Sequence, residues 1–173
     1  NQNHPQPIVS KDGNILVFNG EIYNYKDIAK KIGLEHTNYS DAEILLFWLE
    51  RSNAFILPDI EGEFSFVYIK PKANKLYMVR DFCGTKPLYY SIKGNSLVFG
   101  SSPKAVATLF EKESSINYTN SSDFLWYGVA PEGTVYLDVF FVTPGKIYEF
   151  ENDKLTIKSL NLKYTKFKTP LKE

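Results

Sequence analysis

The sequence has few of the residues that mark secreted, membrane-spanning or metal-binding proteins. It contains one cysteine, Cys83, so no intrachain disulfide can form and a reducing compartment, the cytoplasm, is expected. No stretch approaches the run of about 18 apolar residues that a transmembrane helix needs, and the first residues do not resemble a signal peptide. His4 and His36 lack metal-ligand partners at a useful spacing. These absences predict no membrane partner and no metal site.

An excess of charge of either sign is also lacking. The 20 Lys and Arg residues balance 20 Asp and Glu residues, so net charge gives no reason to expect nucleic acid or an anionic surface as a partner. The length of 173 residues suits one compact domain. Ligands and partners must therefore be inferred from local groups of residues.

What the sequence does have is a series of short apolar runs separated by turn residues, which predicts hairpins with a few helices packed on them. The predicted strands are Ile15 to Phe18 before a turn at Asn19-Gly20, Phe64 to Ile69 with Leu76 to Val79, Leu88 to Ile92 with Leu97 to Phe99, and Lys146 to Phe150 with Leu155 to Ile157. The predicted helices follow Asn24, Ser40 and Pro103, with a short one around Asp123 to Tyr127. This pattern indicates an α+β or layered α/β fold and not a doubly wound parallel sheet.

The clearest helix start is Ser40-Asp41-Ala42-Glu43, which has the pattern of a capping box. Asp41 is therefore predicted at a helix N-terminus. The aromatic residues Phe64, Phe66, Tyr89 and Tyr90 are predicted to pack in the core and between sheets, since aromatic side chains at strand positions usually bury area.

Three polar segments carry the information on function. They are Phe18 to Asn24 (FNGEIYN), Tyr39 to Glu43 (YSDAE) and Arg80 to Tyr90 (RDFCGTKPLYY), with further agreements at Gln6-Pro7, Glu61 to Phe66 and Pro144-Gly145. Each alone is weak, because an Asn-Gly pair is usually a turn. In this order, over roughly Pro5 to Phe150, they resemble the class II glutamine amidotransferases, the N-terminal-nucleophile hydrolase domains of the asparagine synthetase family.

The resemblance implies an α+β fold of stacked antiparallel β-sheets flanked by helices, in four layers ordered αββα and incomplete at the N-terminus. It implies a partial glutamine amidotransferase type 2 domain over residues 1–162 and a linker over residues 163–173 toward a synthetase domain. Glutamine is the implied ligand, and a synthetase domain in cis or in trans is the implied partner; a homodimer is compatible with it. No cofactor is expected for this domain, and ATP and Mg are expected only for the synthetase domain.

Four residues receive roles from the resemblance. Asn19 and Gly20 would form the oxyanion hole, and Glu21 and Asp41 would bind the α-ammonium of glutamine. The chemistry agrees, because a side-chain amide and an unobstructed backbone N–H supply two donors to a developing negative oxygen, and carboxylates suit an ammonium. Each role has a structural alternative: Asn-Gly favours turns, and Asp41 complements a helix dipole.

The Arg80 to Tyr90 segment is interpreted as mainly structural. Arg80-Asp81 could be an ion pair at a strand end and Lys86-Pro87 a solvated turn, while a contact with the synthetase domain is the alternative. Cys83 is interpreted as a partly buried structural residue, since it is internal and has no histidine adjacent in sequence to activate it.

The nucleophile of the resembled family is an N-terminal cysteine whose α-amine acts as the base. This chain begins with Asn1, and an arginine that would hold the α-carboxylate of glutamine is also unmatched. The favoured hypothesis is a piece of an enzyme that hydrolyses glutamine and passes ammonia to the ATP-dependent amidation of aspartate or a related carboxylate. On this hypothesis the chain alone is inactive, and an exposed sheet edge favours association.

Two competing hypotheses stay open. The domain could have lost its nucleophile and serve a structural, partner-binding or glutamine-sensing role. It could also be an unrelated α+β binding module, which predicts that Asn19, Glu21 and Asp41 do not form a coherent pocket.

Overall fold

Two antiparallel sheets and four helices make up the part of the chain that the computed structural model describes, which is residues 5–36, 38–51, 60–110, 115–128 and 133–160. The strands are β1 (Ile8–Val9), β2 (Ile15–Ile22), β3 (Gly62–Lys70), β4 (Lys75–Arg80), β5 (Tyr89–Lys93), β6 (Ser96–Gly100), β7 (Phe140–Phe141), β8 (Lys146–Glu151) and β9 (Lys154–Ser159). The helices are α1 (Tyr25–Lys31), α2 (Asp41–Arg51), α3 (Pro103–Phe110) and α4 (Tyr118–Tyr127). One sheet has the order β1-β2-β3-β4-β8-β9 and the other β6-β5-β7.

The alternation of side chains along β3 separates two apolar layers. Phe64, Phe66 and Tyr68 pack on the side of α1 and α2, whereas Val67 packs with Met78 of β4 and with residues of the second sheet. A third apolar cluster joins α3 to the outer face of the second sheet. The layers are therefore α1 and α2, the six-stranded sheet, the three-stranded sheet and α3, which confirms the predicted αββα architecture.

The capping box at the start of α2 is confirmed. The backbone N–H of Ser40 donates to the Glu43 carboxylate at 2.8 Å, and the N–H of Glu43 donates to Ser40 Oγ at 3.3 Å. Reciprocal bonds of this kind satisfy donors that a helix N-terminus leaves unpaired. As predicted, Asp41 is the first helical residue.

The predicted turn at Asn19-Gly20 is wrong. Strand β2 continues through both residues to Ile22, with Asn19 opposite Ser65 and Gly20 opposite Phe64. Glycine is required for another reason, because a Cβ at Gly20 would lie 2.0 Å from the carbonyl oxygen of Glu63. The residue permits the close approach of two strands, and its φ of 137° lies where other residues are strained.

The helix predicted after Asn24 is confirmed, whereas the start of a later helix differs from the prediction. Asn24 precedes α1, but its side chain makes no capping bond with the helix; its Oδ1 accepts the backbone N–H of Glu61 at 3.0 Å instead. The helix predicted around Asp123 to Tyr127 begins earlier, at Tyr118, because the Asn117 side chain caps it by accepting the N–H of Asn120 at 3.1 Å. The predicted linker at 163–173 lies outside the described residues.

The predicted packing of the aromatic residues is confirmed. Phe64, Phe66 and Tyr90 are buried, and Tyr89 packs against the cluster that contains α3. None of the helices in the described ranges combines the length and the apolar character that crossing a bilayer requires.

Candidate functional site

Part of strand β2 forms an open edge of the larger sheet. On the side of β2 away from β3, strand β1 pairs only with Ile15 and Leu16, so no described strand covers the rest of that side. Along this edge, the N–H of Phe18 donates to Gln6 Oε1 at 2.6 Å and the N–H of Ile22 donates to Asp41 Oδ2 at 3.0 Å. Backbone groups alternate in direction along a strand, so the N–H of Gly20 points outward between these two capped positions.

Asp41 joins the start of α2 to this edge. One carboxylate oxygen accepts the Ile22 N–H, and the other accepts the N–H of Ala42 at 2.9 Å within the first turn of α2. The capping box of Ser40 and Glu43 fixes the backbone on which Asp41 is carried. An ionised carboxylate offers about four acceptor positions, so the half-buried Asp41 can still receive donors from a ligand.

Two adjoining depressions surround Gly20 and Asp41. One, of about 390 Å³, includes Gly20, Glu21 and Asp41 in its lining; the other, of about 290 Å³, includes Asn19, Gly20 and Asp41. The four predicted site residues thus lie together, although Asn19 and Glu21 line different depressions. The side chains are not scattered, which was the arrangement that would have supported an unrelated binding module.

The site combines hydrogen-bond donors with several carboxylates. Glu21 stands directly opposite Glu63 in the sheet register, and like charges in this position repel one another. Lys86 Nζ lies 3.8 Å from a carboxylate oxygen of Glu63 and offsets part of this repulsion. With Asp41 nearby, the local excess of carboxylates suits a ligand that carries an ammonium group as well as a carbonyl oxygen.

Comparison with known proteins decides the family. The sequence profile of the glutamine amidotransferase domain matches residues 1–163. The chain belongs to this glutamine amidotransferase domain family.

The relatives of this amidotransferase domain include asparagine synthetases. Asparagine synthetase [glutamine-hydrolyzing] 2 of Bacillus subtilis is 33% identical over 128 residues, which are 72% of this chain and 17% of that protein. A probable asparagine synthetase [glutamine-hydrolyzing] of Acanthamoeba polyphaga mimivirus is 37% identical over 109 residues, 61% of this chain and 20% of the relative. The chain therefore spans about a fifth of the length of these curated relatives.

Solved structures show the same fold. The glutamine phosphoribosylpyrophosphate amidotransferase of B. subtilis has a TM-score of 0.59 and 19% identity, with 91% of this chain and 32% of that one covered. This likeness shows the fold alone, which is the N-terminal-nucleophile hydrolase fold of the class II glutamine amidotransferases.

In the amidotransferase domain, the Arg80-Asp81 pair holds a loop and is not an ion pair of the kind considered from the sequence. Arg80 donates to the carbonyl oxygens of Lys86 and Val142, both at 2.9 Å, and to that of Gly84. Asp81 accepts backbone N–H groups instead. No ion pair joins these two residues within the described ranges. These contacts confirm the structural interpretation of this segment.

Asp81 is 4% exposed and accepts hydrogen bonds from two parts of the chain. It receives the N–H of Phe64 in β3 at 3.1 Å, the N–H groups of Cys83 and Gly84 at 2.8 Å, and the Thr85 hydroxyl at 2.7 Å. Burial alone would raise the pKa of Asp81, but the bonds from Thr85, Phe64, Cys83 and Gly84 outweigh burial and lower this pKa. The loop is thereby fixed to the strand residue that faces Gly20.

Cys83 is exposed, which corrects the prediction of a partly buried residue. The loop is held by backbone N–H groups that converge on Asp81, so the side chain at position 83 is not needed for packing. Cys83 lines neither depression around Asp41. Among the described residues, no cluster of three or more His, Cys, Asp or Glu side chains is arranged to bind a metal ion.

The sequence prediction gave no role to two residues that the structure places at the site. Gln6 occupies the edge of β2 through its bond to Phe18, and Ser40 lines both depressions. The signals were present, since Gln6-Pro7 and Ser40 both belong to the segments that carry the resemblance. The sequence did not show that Gln6 and Phe18 are close in space, because the chain brings them together only by turning back between β1 and β2.

Proposed function

We propose that this domain supplies ammonia from glutamine to an asparagine-synthetase-like enzyme that amidates aspartate or a related carboxylate. The observation that carries the proposal is the placement of Asn19, Gly20 and Asp41 around one depression at the open edge of β2. The asparagine synthetases among the relatives support the choice of acceptor reaction. ATP and Mg would serve the synthetase portion, and a cytoplasmic location accords with a single unpaired cysteine.

The proposed reaction is an acyl transfer from the side-chain amide of glutamine. The thiol of the N-terminal cysteine gives its proton to the α-amine, and the resulting thiolate adds to the amide carbon, so that the carbonyl oxygen becomes negative. When this oxyanion collapses to a thioester, the amide nitrogen takes the proton back from the α-ammonium group and leaves as ammonia. Water then cleaves the thioester, which releases glutamate and restores the thiol. The N–H of Gly20 and the side-chain amide of Asn19 would stabilise the negative oxygen, because both are donors at the same edge.

The acidic side of the site would select the amino acid. Glu21 and Asp41 would bind the α-ammonium group, with Glu63 adding to the negative potential. Asp41 is the more constrained of the two ligands, since two backbone N–H groups already fix its carboxylate. A positioned carboxylate loses little freedom when a ligand binds, which favours affinity.

The proposal assigns the nucleophile to a cysteine outside the 173 residues. The one cysteine of the chain, Cys83, is exposed on the Asp81 loop and lines neither depression. The exposed stretch of β2 edge between Gln6 and Asp41 offers a place for a segment that would bring the thiol next to Gly20. The 173-residue chain alone is then expected to bind glutamine without releasing glutamate.

The test uses the longer protein that carries this domain together with its cysteine segment. Glutamate release is measured for the wild type, Asn19→Ala and Asp41→Asn. Loss of an oxyanion donor should lower kcat about 100-fold to 1,000-fold with a small change in KM, whereas Asp41→Asn should mainly raise KM. Asn95→Ala, in the turn between β5 and β6, is the matched control and should leave both constants unchanged.

Two results would count against the proposal. An unchanged kcat in Asn19→Ala would remove the oxyanion assignment. Failure of the longer wild-type protein to release glutamate, while the isolated domain still binds glutamine, would leave a glutamine-sensing domain as the better account.

A further inference from the structure

Helix α4 presents its apolar side chains to solvent. Leu125 and Trp126 are each 84% exposed and Tyr118 is 82% exposed, and none of the residues of α4 with a described side chain is buried. Tyr118 and Leu125 are seven positions apart and therefore lie on one face of the helix. Soluble monomers rarely expose large contiguous apolar patches unless these serve as binding sites.

The polar side of α4 faces the body of the domain. Asn120 Nδ2 donates to the carbonyl oxygen of Thr134 at 3.0 Å, and the capping side chain of Asn117 accepts the N–H of Asn120. Asn117, Asn120 and Ser121 are less exposed than the apolar residues of the same helix. A surface helix normally has the opposite arrangement, so the outward apolar face has to be explained by something outside the domain.

A cavity of about 560 Å³, mostly apolar but with Arg80 and Lys104 in its lining, adjoins this helix. Phe124 and Gly128 of the α4 region line it, together with Tyr89, Phe141 and Pro144 from the second sheet and the loop that follows. The outward residues Tyr118, Leu125 and Trp126, with this cavity, are here called the α4 surface. One charged residue, Asp123, occurs in the helix, and Arg80 and Lys104 line the cavity. The complementary surface would therefore be apolar opposite the outward residues of α4 and would carry acceptors at the cavity.

The described chain ends beside the α4 surface. The N–H of Leu160 donates to the carbonyl oxygen of Gly145 at 2.9 Å, and the preceding residue, Pro144, lines the cavity. The backbone of Leu160 therefore lies near one wall of the cavity, while its side chain packs against the core cluster of α1 and α2. The relatives named asparagine synthetase are about five times as long as the part that this chain matches, so most of each of those relatives lies outside the matched domain.

We propose that the α4 surface binds the synthetase portion that works with this domain, with Leu125 and Trp126 at the centre of the contact. This inference rests on the proposed function, because that function supplies the partner. Arg80 lines the cavity, and its neighbour Asp81 bonds to the strand residue opposite Gly20. The partner would thus sit at the same end of the sheets as the glutamine site.

The first measurement uses Trp126 as a fluorescent reporter. The chain has two tryptophans, and Trp48 packs partly buried against the core, so Trp48→Phe leaves Trp126 as the sole tryptophan. The probe is the separately produced synthetase portion from the same source, in which tryptophans are replaced by phenylalanine. Its addition should shift the Trp126 emission to shorter wavelength and protect Trp126 from a soluble quencher.

The second measurement compares affinities by calorimetry for Leu125→Asp and a matched control, Ile157→Asp. Ile157 is also an exposed apolar residue, but it lies on β9 and does not line the cavity beside α4. Leu125→Asp should weaken binding at least about tenfold, as expected for a central apolar contact, and the control should change it less than about threefold. Circular dichroism would check that both variants fold.

Several outcomes would overturn the inference. Equal affinities of Leu125→Asp and wild type would exclude the α4 surface from the contact, as would complex formation without any change at Trp126. A shielded Trp126 in the isolated monomer would show that the chain covers this helix itself. If the isolated chain forms a dimer and Leu125→Asp makes it monomeric, the α4 surface binds a second copy of the chain instead.

The outcome is separable from that of the proposed function. Leu125 lies in neither depression around Asp41, so Leu125→Asp should leave glutamine binding by the domain intact. If Asn19→Ala loses glutaminase activity, the proposed function is supported. If Leu125→Asp still binds the synthetase portion normally, the proposed interface is wrong. Normal activity in Asn19→Ala together with weakened binding in Leu125→Asp would support the interface and contradict the site assignment.

Discussion

A single carboxylate, that of Asp81, holds together two segments that meet behind the candidate site. Its oxygens accept N–H groups from β3 and from the loop after β4. The side chain is nearly inaccessible to water, so each of these donors would lose its partner without gaining a water molecule if the carboxylate were removed. Its replacement is therefore informative about stability.

Asp81→Asn is expected to lower the free energy of unfolding at pH 7 by about 2–3 kcal/mol. The amide group would turn an N–H₂ toward donors that need an acceptor, and bonds to a charged acceptor are among the stronger ones. The folded pKa of Asp81 lies below the unfolded value of about 3.9. The stabilisation is thus complete above that value and is lost as pH falls through the folded pKa.

Urea unfolding of Asp81→Asn and wild type between pH 7 and pH 3 would measure this effect, with the gap between the two closing in acid. Asp12→Asn, on an exposed turn, is the matched control and should change stability by less than about 0.5 kcal/mol. A gap that is as wide at pH 3 as at pH 7 would contradict the role given to the Asp81 charge.

At the scale of elements, the start of α2 serves both stability and the site. Ser40 caps the helix, and the next residue, Asp41, contacts β2. Ser40→Ala is expected to lower the free energy of unfolding by about 1 kcal/mol, as for other lost caps. It should also weaken glutamine binding several-fold, because the first turn that orients Asp41 loses one of its two reciprocal bonds.

Calorimetry with glutamine and urea unfolding would measure the two effects of Ser40→Ala. Glu43→Gln preserves the capping-box pattern and is the control that should retain most of both quantities. Normal glutamine affinity in Ser40→Ala, despite lower stability, would show that β2 alone positions Asp41.

Much of the fold could be predicted from the sequence because most strand pairs are local hairpins. The β3–β4 and β5–β6 hairpins follow from apolar runs around turn residues, and α2 follows from its capping box. The extension of β2 through Asn19 and Gly20 could not be predicted, because the local Asn-Gly signal for a turn was overridden by pairing with β3. The beginning of α4 at Tyr118 was missed because its cap, Asn117, precedes residues without helical apolar periodicity.

The candidate site was predicted in composition but not in arrangement. The segments that contain Asn19, Glu21 and Asp41 were identified, but the division of Asn19 and Glu21 between two depressions depends on how α2 meets the sheet edge. The outward apolar face of α4 was not predicted, since Leu125 and Trp126 have the composition of core residues. Only the tertiary contacts of Asn120 determine which side of the helix faces inward.

At the scale of the whole molecule, the packing of the two sheets buries tyrosine side chains. Tyr90 lies between the sheets, with its ring 5.6 Å from that of Tyr148. Burial, and next the neighbouring Tyr148, raise the pKa of Tyr90 to about 12. Because the folded pKa exceeds the unfolded value of about 10, the associated stabilisation is present below pH 10 and is lost as pH rises toward 12.

Between pH 10 and pH 12 the free energy of unfolding should therefore fall by about 2 kcal/mol less in Tyr90→Phe than in the wild type. Urea unfolding at several alkaline pH values would measure the difference. Tyr118→Phe, on the exposed face of α4, is the matched control and should follow the wild type. An alkaline loss in Tyr90→Phe equal to that of the wild type would contradict a neutral tyrosine enclosed between the sheets.

The strand order of the larger sheet also delays one step of strand pairing during synthesis. Strand β4 pairs with β3 at once, but its other neighbour is β8, which follows β5, β6, α3, α4 and β7 in the sequence. At a synthesis rate of about 5–20 residues per second, the ribosome needs several seconds to make that intervening stretch. During those seconds the edge of β4 from Lys75 to Val79 lacks its partner strand and can pair with strands of other chains. In a circular permutant that begins at β8, both neighbours of β4 would already have been made when β4 is synthesised. The time for which the β4 edge lacks its second partner would therefore be shorter.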